Sequence, residues 1–252
     1  MTTRVFKFGG RAQTAPGLAS AIAAAAQRAQ VVVVHGGGDE VSAMQRRLGL
    51  EPQFIGGRRV TSEADLDVVR MLLSGSVNKR LVAQLLSAGA RAVGLSGEDA
   101  GMLTARVTDP TFGRVGRDVA ADVTLLRQLL AAGWLPVLSP LARDRESAEG
   151  LGLNVNGDDA ATAIAVALGA DELCFVADVD GVLEAGQRIP RLNPAGIRDL
   201  ADRGVAQGGM LAKLEAAVAA LEAGVGAIRI GTLDLLHDPQ AGTTIVPAVP
   251  AS

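Results

Sequence analysis

Four consecutive valines, Val31 to Val34, run directly into His35-Gly36-Gly37-Gly38. β-branched side chains pack well on a pleated surface. A continuous apolar run leaves no polar face for water, so this segment suits a central strand covered on both sides. Glycine directly after such a strand allows a tight turn into a following helix. The same alternation recurs along the chain. Val5 to Phe8 precedes Gly9-Gly10, and further short apolar runs lie near Ala90–Leu95, Trp134–Leu138, Glu172–Ala177 and Ala227–Ile230. Strands spaced by helical patterns predict an α/β fold with a largely parallel sheet covered by helices.

The helical segments fill the intervals. An Ala-rich helix follows Pro16, and another opens after Gly38 with Val41, Met44 and Leu48 at helical spacing. Gln53 to Thr61 reads as a hairpin around Gly56-Gly57. Ser62 is placed to cap the next helix, with acidic residues in its first turn opposing the helix dipole. That helix, or a broken pair, is expected to reach about Ala88. A strand near Gly101–Val107 and a helix from Asp122 to Ala132 follow. Trp134 enters an apolar run after Gly133 and is expected in the core. Later helices are expected from Asp158 to Leu168 and from Gly209 to Ala223, the second with Leu211, Leu214, Val218 and Leu221 on one face. A short strand near Thr243–Val246 ends the pattern. No linker interrupts the chain, and a lobe boundary is placed near Gly169, giving parts 1–168 and 169–252.

Composition removes several partners. Only six of 252 residues are aromatic, which offers no stacking platform for bases. The formal net charge is −3 with both signs interspersed, so neither nucleic acid nor an anionic membrane finds a concentrated basic surface. The single cysteine, Cys174, sits in an apolar run and reads as a buried strand residue. The N-terminus lacks the apolar core of a secretory signal. No segment approaches the ~20 apolar residues of a spanning helix. A cytoplasmic protein is expected.

Three glycine clusters carry the chemistry: Lys7-Phe8-Gly9-Gly10, His35-Gly36-Gly37-Gly38, and Gly208-Gly209-Met210 with Lys213 one turn into the following helix. Such turns bring backbone N–H groups close to an anion, and the helix N-terminus adds its positive end. Three of them, two with a lysine nearby, point to phosphate handling. Neither the Walker A pattern nor Gly-x-Gly-x-x-Gly is present, so the phosphate machinery differs from both. Asn154-Val155-Asn156-Gly157-Asp158-Asp159 places two amides before a pair of acids. Asp159 reads as a helix cap, whereas Asp158 suits a ligand-facing turn. Arg59 is a candidate carboxylate clamp, because a guanidinium binds carboxylate bidentately. His35 adjoins a buried strand without an Asp or Ser partner, which favours a structural, backbone-bonding role.

In order and spacing, these segments resemble the N-acetylglutamate kinase family of the amino acid kinase superfamily. Val77-Asn78-Lys79, Gly94-Leu95-Ser96-Gly97 and Asp178-Val179-Asp180-Gly181-Val182 extend the match end to end. The resemblance implies a three-layer αβα sandwich of the carbamate kinase-like fold. It also implies an N-terminal lobe for the acyl amino acid and a C-terminal lobe for ATP. By the family pattern, Lys7 and Lys213 stabilise the transferring phosphoryl group and Asp158 holds both. Gly37, Gly38, Arg59, Asn154 and Asn156 bind N-acetyl-L-glutamate. Gly9, Gly10, Asp178, Val179, Gly181, Val182, Leu183, Gln207, Gly209 and Met210 lie along phosphate and nucleotide. Mg2+ accompanies ATP, held mainly by phosphates and water, and no protein metal ligand is named.

The chain departs from the pattern in Gly97-Glu98-Asp99-Ala100, where many relatives carry Lys or Gly followed by Gly. Its first strand follows Met-Thr-Thr without room for the extra helix of arginine-inhibited hexamers, so an arginine-insensitive homodimer is expected. Two alternatives stay open. One is a kinase of this fold acting on a carrier-bound aminoadipate or glutamate. The other is a non-catalytic sensor of amino acid or nucleotide.

Overall fold

In the computed structural model, which describes residues 1–56 and 58–247, the four valines lie near the middle of an eight-stranded sheet. Gly57, part of the expected hairpin, lies outside the described residues. The chain begins with β1 (Thr3–Phe8), α1 (Leu18–Ala26), β2 (Gln30–His35) and α2 (Gly38–Arg47). The small hairpin β3 (Phe54–Ile55) and β4 (Arg58–Arg59) leads to α3 (Glu63–Arg70) and, after a π-helical stretch at Met71–Val77, to α4 (Asn78–Ser87). Next come β5 (Ala92–Ser96), β6 (Leu103–Arg106), β7 (Val115–Ala121), α5 (Thr124–Ala131) and β8 (Leu135–Ser139). β9 (Leu141–Asp144), β10 (Gly152–Val155), α6 (Gly157–Leu168) and β11 (Glu172–Val176) follow. The remainder holds the ribbon β12 (Leu183–Glu184) and β13 (Gln187–Arg188), then β14 (Arg191–Leu192), α7 (Pro194–Asp202), α8 (Gly208–Glu222), β15 (Ala227–Gly231) and β16 (Thr243–Ile245).

The sheet order is β14-β16-β15-β11-β1-β2-β8-β5, and every pairing is parallel except β15 with β16. Alternation along a strand assigns the two faces. Val32 and Val34 pack with α6 and α8 in one core, while Val31 and Val33 pack with α1 and α4 in the other. Helices on both faces make a three-layer αβα sandwich, and the sheet runs unbroken past residue 169. Cys174 is buried in β11, where burial pushes its thiol pKa up.

A second sheet closes on itself: β10, β7, β6 and β9 form a small barrel beside the main sheet. Its strands begin and end differently from the expected pattern. The predicted strand at Gly101–Val107 starts only at Leu103, after a short helical turn at Asp99–Gly101. Ser62 does cap α3, and reciprocally: Asp65 N donates to Ser62 Oγ at 3.1 Å and Ser62 N to Asp65 Oδ2 at 3.0 Å. The long helix beyond it is broken by the π-helical stretch rather than by a turn. Glu98, the departure in the β5–β6 loop, receives the Arg70 guanidinium at the end of α3, with Nη2 to Oε1 at 2.6 Å.

One core assignment is corrected. Trp134 stands just before β8 and remains 37% exposed, with the Arg91 guanidinium carbon 4.5 Å from its ring centroid. The Gly133 turn leaves the ring on the surface, where a cation–π contact covers it. The buried face of α8 is Leu214, Ala216, Ala217 and Ala220; Leu211, Val218 and Leu221 are only partly covered. α8 packs against the alanine-lined α6, and small side chains are what allow two helix axes to approach closely.

Candidate functional site

Parallel strands in the register Lys7↔Val34 and Lys7↔Phe175 end together, so the turns after β1, β2 and β11 leave from one edge of the sheet. That edge is where open α/β sheets bind ligands. Lys7 shares the side of β1 that carries Val5, and α6 covers this side. Asn156 caps α6: its Oδ1 accepts from Asp158 N at 2.7 Å. Asp158 is thereby fixed in the first helical turn, where the helix dipole favours a negative charge. Lys213, in the second turn of α8, completes the group.

The three side chains meet. Lys7 Nζ lies 2.7 Å from Asp158 Oδ1, and Lys213 Nζ lies 2.8 Å from Asp158 Oδ2. Lys7 and Asp158 are buried, and Lys213 is nearly so. Burial works against the Asp158 carboxylate, but the two lysines outweigh it and hold its pKa below the usual range. Burial lowers the Lys7 pKa, and Lys213 adds to this against the pull of Asp158. One carboxylate thus serves two ammonium groups, an arrangement with a net positive charge and room for an anion.

Beside it lies a cavity of about 260 Å3 lined by Gly37, Gly38, Arg59, Asn154 and Asn156, with Val41, Val69 and Leu73 as apolar wall. All five residues predicted to bind the acyl amino acid therefore surround one space. Gly37 has φ of 149°, and a Cβ there would lie 2.7 Å from Leu73 Cδ2, so only glycine fits. Arg59 is held rigidly from α2. Its Nη2 donates to Gly38 O at 2.8 Å and Ser42 Oγ at 2.7 Å, its Nη1 donates to Gln45 Oε1, and Phe54 stacks 4.8 Å from its guanidinium carbon. Asn154 Nδ2 donates to Thr61 Oγ1 at 3.1 Å.

The residues predicted along the nucleotide form two further groups. Gly9 and Gly10 follow β1, and Asp178, Val179, Gly181, Val182 and Leu183 follow β11, its neighbour in the sheet. Val182 N donates to Thr243 Oγ1 at 2.8 Å, while Leu183 is exposed. Gln207, Gly209 and Met210 stand at the start of α8; Gln207 is its N-cap and donates from Nε2 to Gly204 O at 2.8 Å.

Sequence reading misassigned one residue and missed others. Asp159 is not the helix cap, because Asn156 already fills that role. Its carboxylate lies 3.7 Å from Arg117 Nη1, and burial pushes its pKa up, with Asp158 adding to this and Arg117 opposing. Arg117 and Phe54 line the cavity, and Ser42 and Gln45 buttress Arg59. Ser42 and Gln45 left one signal: polar residues one turn apart on the α2 face that also carries the apolar Val41.

The model of the amino acid kinase family matches residues 2–232. An acetylglutamate kinase of Chloroflexus aurantiacus is 43% identical over 242 residues, 94% of each chain. Among solved structures, smu.665 from Streptococcus mutans superposes with a TM-score of 0.85 at 32% identity, covering 97% of this chain and 98% of its own. A carbamate kinase from Giardia lamblia bound to AMP-PNP shares the fold, with a TM-score of 0.73 at 18% identity over 98% of this chain and 99% of its own. Sheet, site and likeness agree along nearly the whole sequence: the chain belongs to the amino acid kinase family.

Proposed function

We propose that this enzyme transfers the terminal phosphoryl group of ATP to the side-chain carboxylate of N-acetyl-L-glutamate, giving N-acetyl-L-glutamyl 5-phosphate for arginine biosynthesis. The observation that carries the reading is the buried Lys7–Asp158–Lys213 group beside the cavity that holds Arg59 and the Gly37-Gly38 turn. Similarity to acetylglutamate kinases at 43% identity supports the choice of substrate.

A Glu-like carboxylate, with pKa near 4.3, is already ionised at pH 7 and needs no general base. The barrier lies in bringing it to a polyanionic phosphate. Arg59 presents its charge and its remaining N–H groups to a substrate carboxylate, and Asn154, Asn156 and the Gly37 and Gly38 amides complete the seat. A carboxylate oxygen forms the new P–O bond while the bond to the bridging oxygen of ADP breaks, and ADP leaves with that electron pair. Lys7 and Lys213 face the charge on the equatorial oxygens, and Asp158 keeps both ammonium groups in position. Catalysis is then positioning plus preorganised electrostatics.

Asp158 spends both oxygens on lysines, and among the described residues no group of three His, Cys, Asp or Glu could hold a metal. Mg2+ bound with ATP would then be carried by phosphate oxygens and water, where it would neutralise phosphate charge. In this reading residues 1–168 form the acyl amino acid lobe and residues 169–252 the ATP lobe. Gly9 and Gly10, the Asp178–Leu183 segment, and Gln207, Gly209 and Met210 line the nucleotide. The same reading takes the enzyme as a cytoplasmic homodimer. Exposed Met71 and Leu86 on the α3–α4 stretch offer apolar surface to a second copy, and no helix among the described residues is long and apolar enough to cross a membrane.

ADP release with Mg2+-ATP, with hydroxylamine trapping the acyl phosphate, tests the reaction. Turnover is expected with N-acetyl-L-glutamate and not with glutamate, aspartate or N-acetylaspartate. Absence of turnover with N-acetyl-L-glutamate would overturn the proposal.

A further inference from the structure

His35 and Asn78 are fully buried polar side chains, and the phosphoryl transfer described above uses neither. Asn78 opens α4, directly after the π-helical stretch, and reaches under the sheet. Its Nδ2 donates to Val137 O at 2.9 Å and lies 3.0 Å from His35 Nε2. Its Oδ1 accepts from Lys79 Nζ at 3.1 Å. The Val137 carbonyl can only accept, which fixes the orientation of the amide. An amide N–H then faces Nε2, so Nε2 is the unprotonated acceptor and the proton sits on Nδ1. Nδ1 lies 2.9 Å from Gly36 O and donates to it. Burial lowers the imidazole pKa to about 4, with Lys79 and Arg80 in the same direction and the Gly36 carbonyl and Glu40 opposing, which keeps the ring neutral.

The surroundings are cut to this chain of bonds. A Cβ on Gly94 would lie 2.0 Å from Asn78 Oδ1, so glycine is required where α4 crosses β5. The π-helical stretch sets Leu73 and Val77 against the other side of the turn, at Gly37. The π-helical stretch and the start of α4 therefore grip the segment from His35 to Gly38 together, one by packing and the other by hydrogen bonding.

We propose that Asn78 and His35 are positioning residues of the substrate site: Asn78 sets the His35 tautomer, and the Nδ1–H bond to Gly36 O orients the peptide so that the Gly37 and Gly38 amides meet the acyl amino acid. The inference rests on the proposed function and assigns a role to the His35, Val77-Asn78-Lys79 and Gly94 motifs, which the phosphoryl transfer leaves unused.

Two substitutions of one residue separate this role from general stability. An Asn amide can place an N–H near the position of His Nδ1, whereas a Gln amide reaches the position of Nε2. His35→Gln should raise KM for N-acetyl-L-glutamate about tenfold, the loss of one well-placed hydrogen bond, with kcat and KM for ATP within about twofold. His35→Asn should stay within about threefold of the parent. Nitrogen NMR of the parent, with His237→Asn to assign the only other histidine, should show a neutral ring protonated on Nδ1 between pH 6 and 8. Asn78→Leu should give a mixture of tautomers. The Nε2-protonated ring in the parent, or a His35→Gln variant with unchanged KM for N-acetyl-L-glutamate, would overturn this inference alone. A parent enzyme without turnover would remove the proposed function and this inference with it, whatever the ring spectrum.

Discussion

Replacing Asp158 by Asn removes the charge that holds two buried ammonium groups together. Lys7 and Lys213 contact opposite oxygens of one carboxylate, at 2.7 and 2.8 Å. Their charges are therefore about 5–6 Å apart, which at an effective dielectric near 20 is about 3 kcal/mol of repulsion. Breaking a buried ion pair by removing one partner costs about 3–5 kcal/mol, in the same range. For a chain of this size about 3 kcal/mol lowers Tm by about 6–12 °C. One lysine should release its proton or swing away, and losing a preorganised cation should lower kcat by about 10²–10³-fold. Thermal melts with and without ATP and hydroxylamine-trap kinetics measure both effects. Saturating ATP supplies negative charge, so it should narrow the Tm gap to the parent. Adding Lys7→Met to Asp158→Asn removes the surplus charge and should recover stability while activity stays lost. A single variant as stable as the parent, or a double variant less stable than the single, would refute the electrostatic argument.

The remaining expectations concern the substrate clamp and the lysine charge. Arg59→Lys loses the planar fork that spans Gln45, Ser42, Gly38 and the substrate; KM for N-acetyl-L-glutamate should rise about 10–100-fold with a smaller change in kcat, and an unchanged KM would remove Arg59 from the seat. Because the Lys7 pKa is lowered from 10.5, kcat/KM for ATP should be full below that lowered value and lost as pH rises through it. The acylated substrate has no amine to titrate there, so a limb breaking at or above 10.5 would count against the lowered Lys7 pKa.

Much of this was legible where one residue type answers to one physical demand. Val31 to Val34 had no polar face to offer, and all four are buried on two sides of the sheet. Lys7 stood out as the lysine beside the Gly9-Gly10 turn that follows the first apolar run. The resemblance grouped Gly37, Arg59 and Asn154, and they line one cavity, whereas the contact of residues 7, 158 and 213 lies in no local spacing. It exists because β1, α6 and α8 pack together. The barrel was illegible for a different reason. β9 and β10 span four residues each, too few to show a period, and β7 carries Arg117 and Asp118 in its middle. The π-helical stretch has no binary pattern distinct from an α-helix. α7 was overlooked although Asn193, which accepts from Gly196 N at 2.8 Å, and Pro194 at its first position are recognisable start signals. Trp134 misled because apolar neighbours in sequence do not say which end of a strand reaches solvent.

The central place of β1 also has a consequence for how the chain is made. β1 leaves the ribosome before both of its sheet neighbours, and β2 follows soon after on one side. Its other neighbour, β11, comes much later: Arg4 and Glu172, paired across that boundary, are 168 residues apart. At 5–20 residues per second the gap is about 8–34 s. Through that interval Val5, Phe6 and Phe8, fully buried in the finished protein, belong to an open strand edge that another chain could pair with. Lys213 is synthesised later still. The Lys7–Asp158–Lys213 group is therefore among the last features to form, and until β11 docks, the strand that ends in the middle of the sheet is its border.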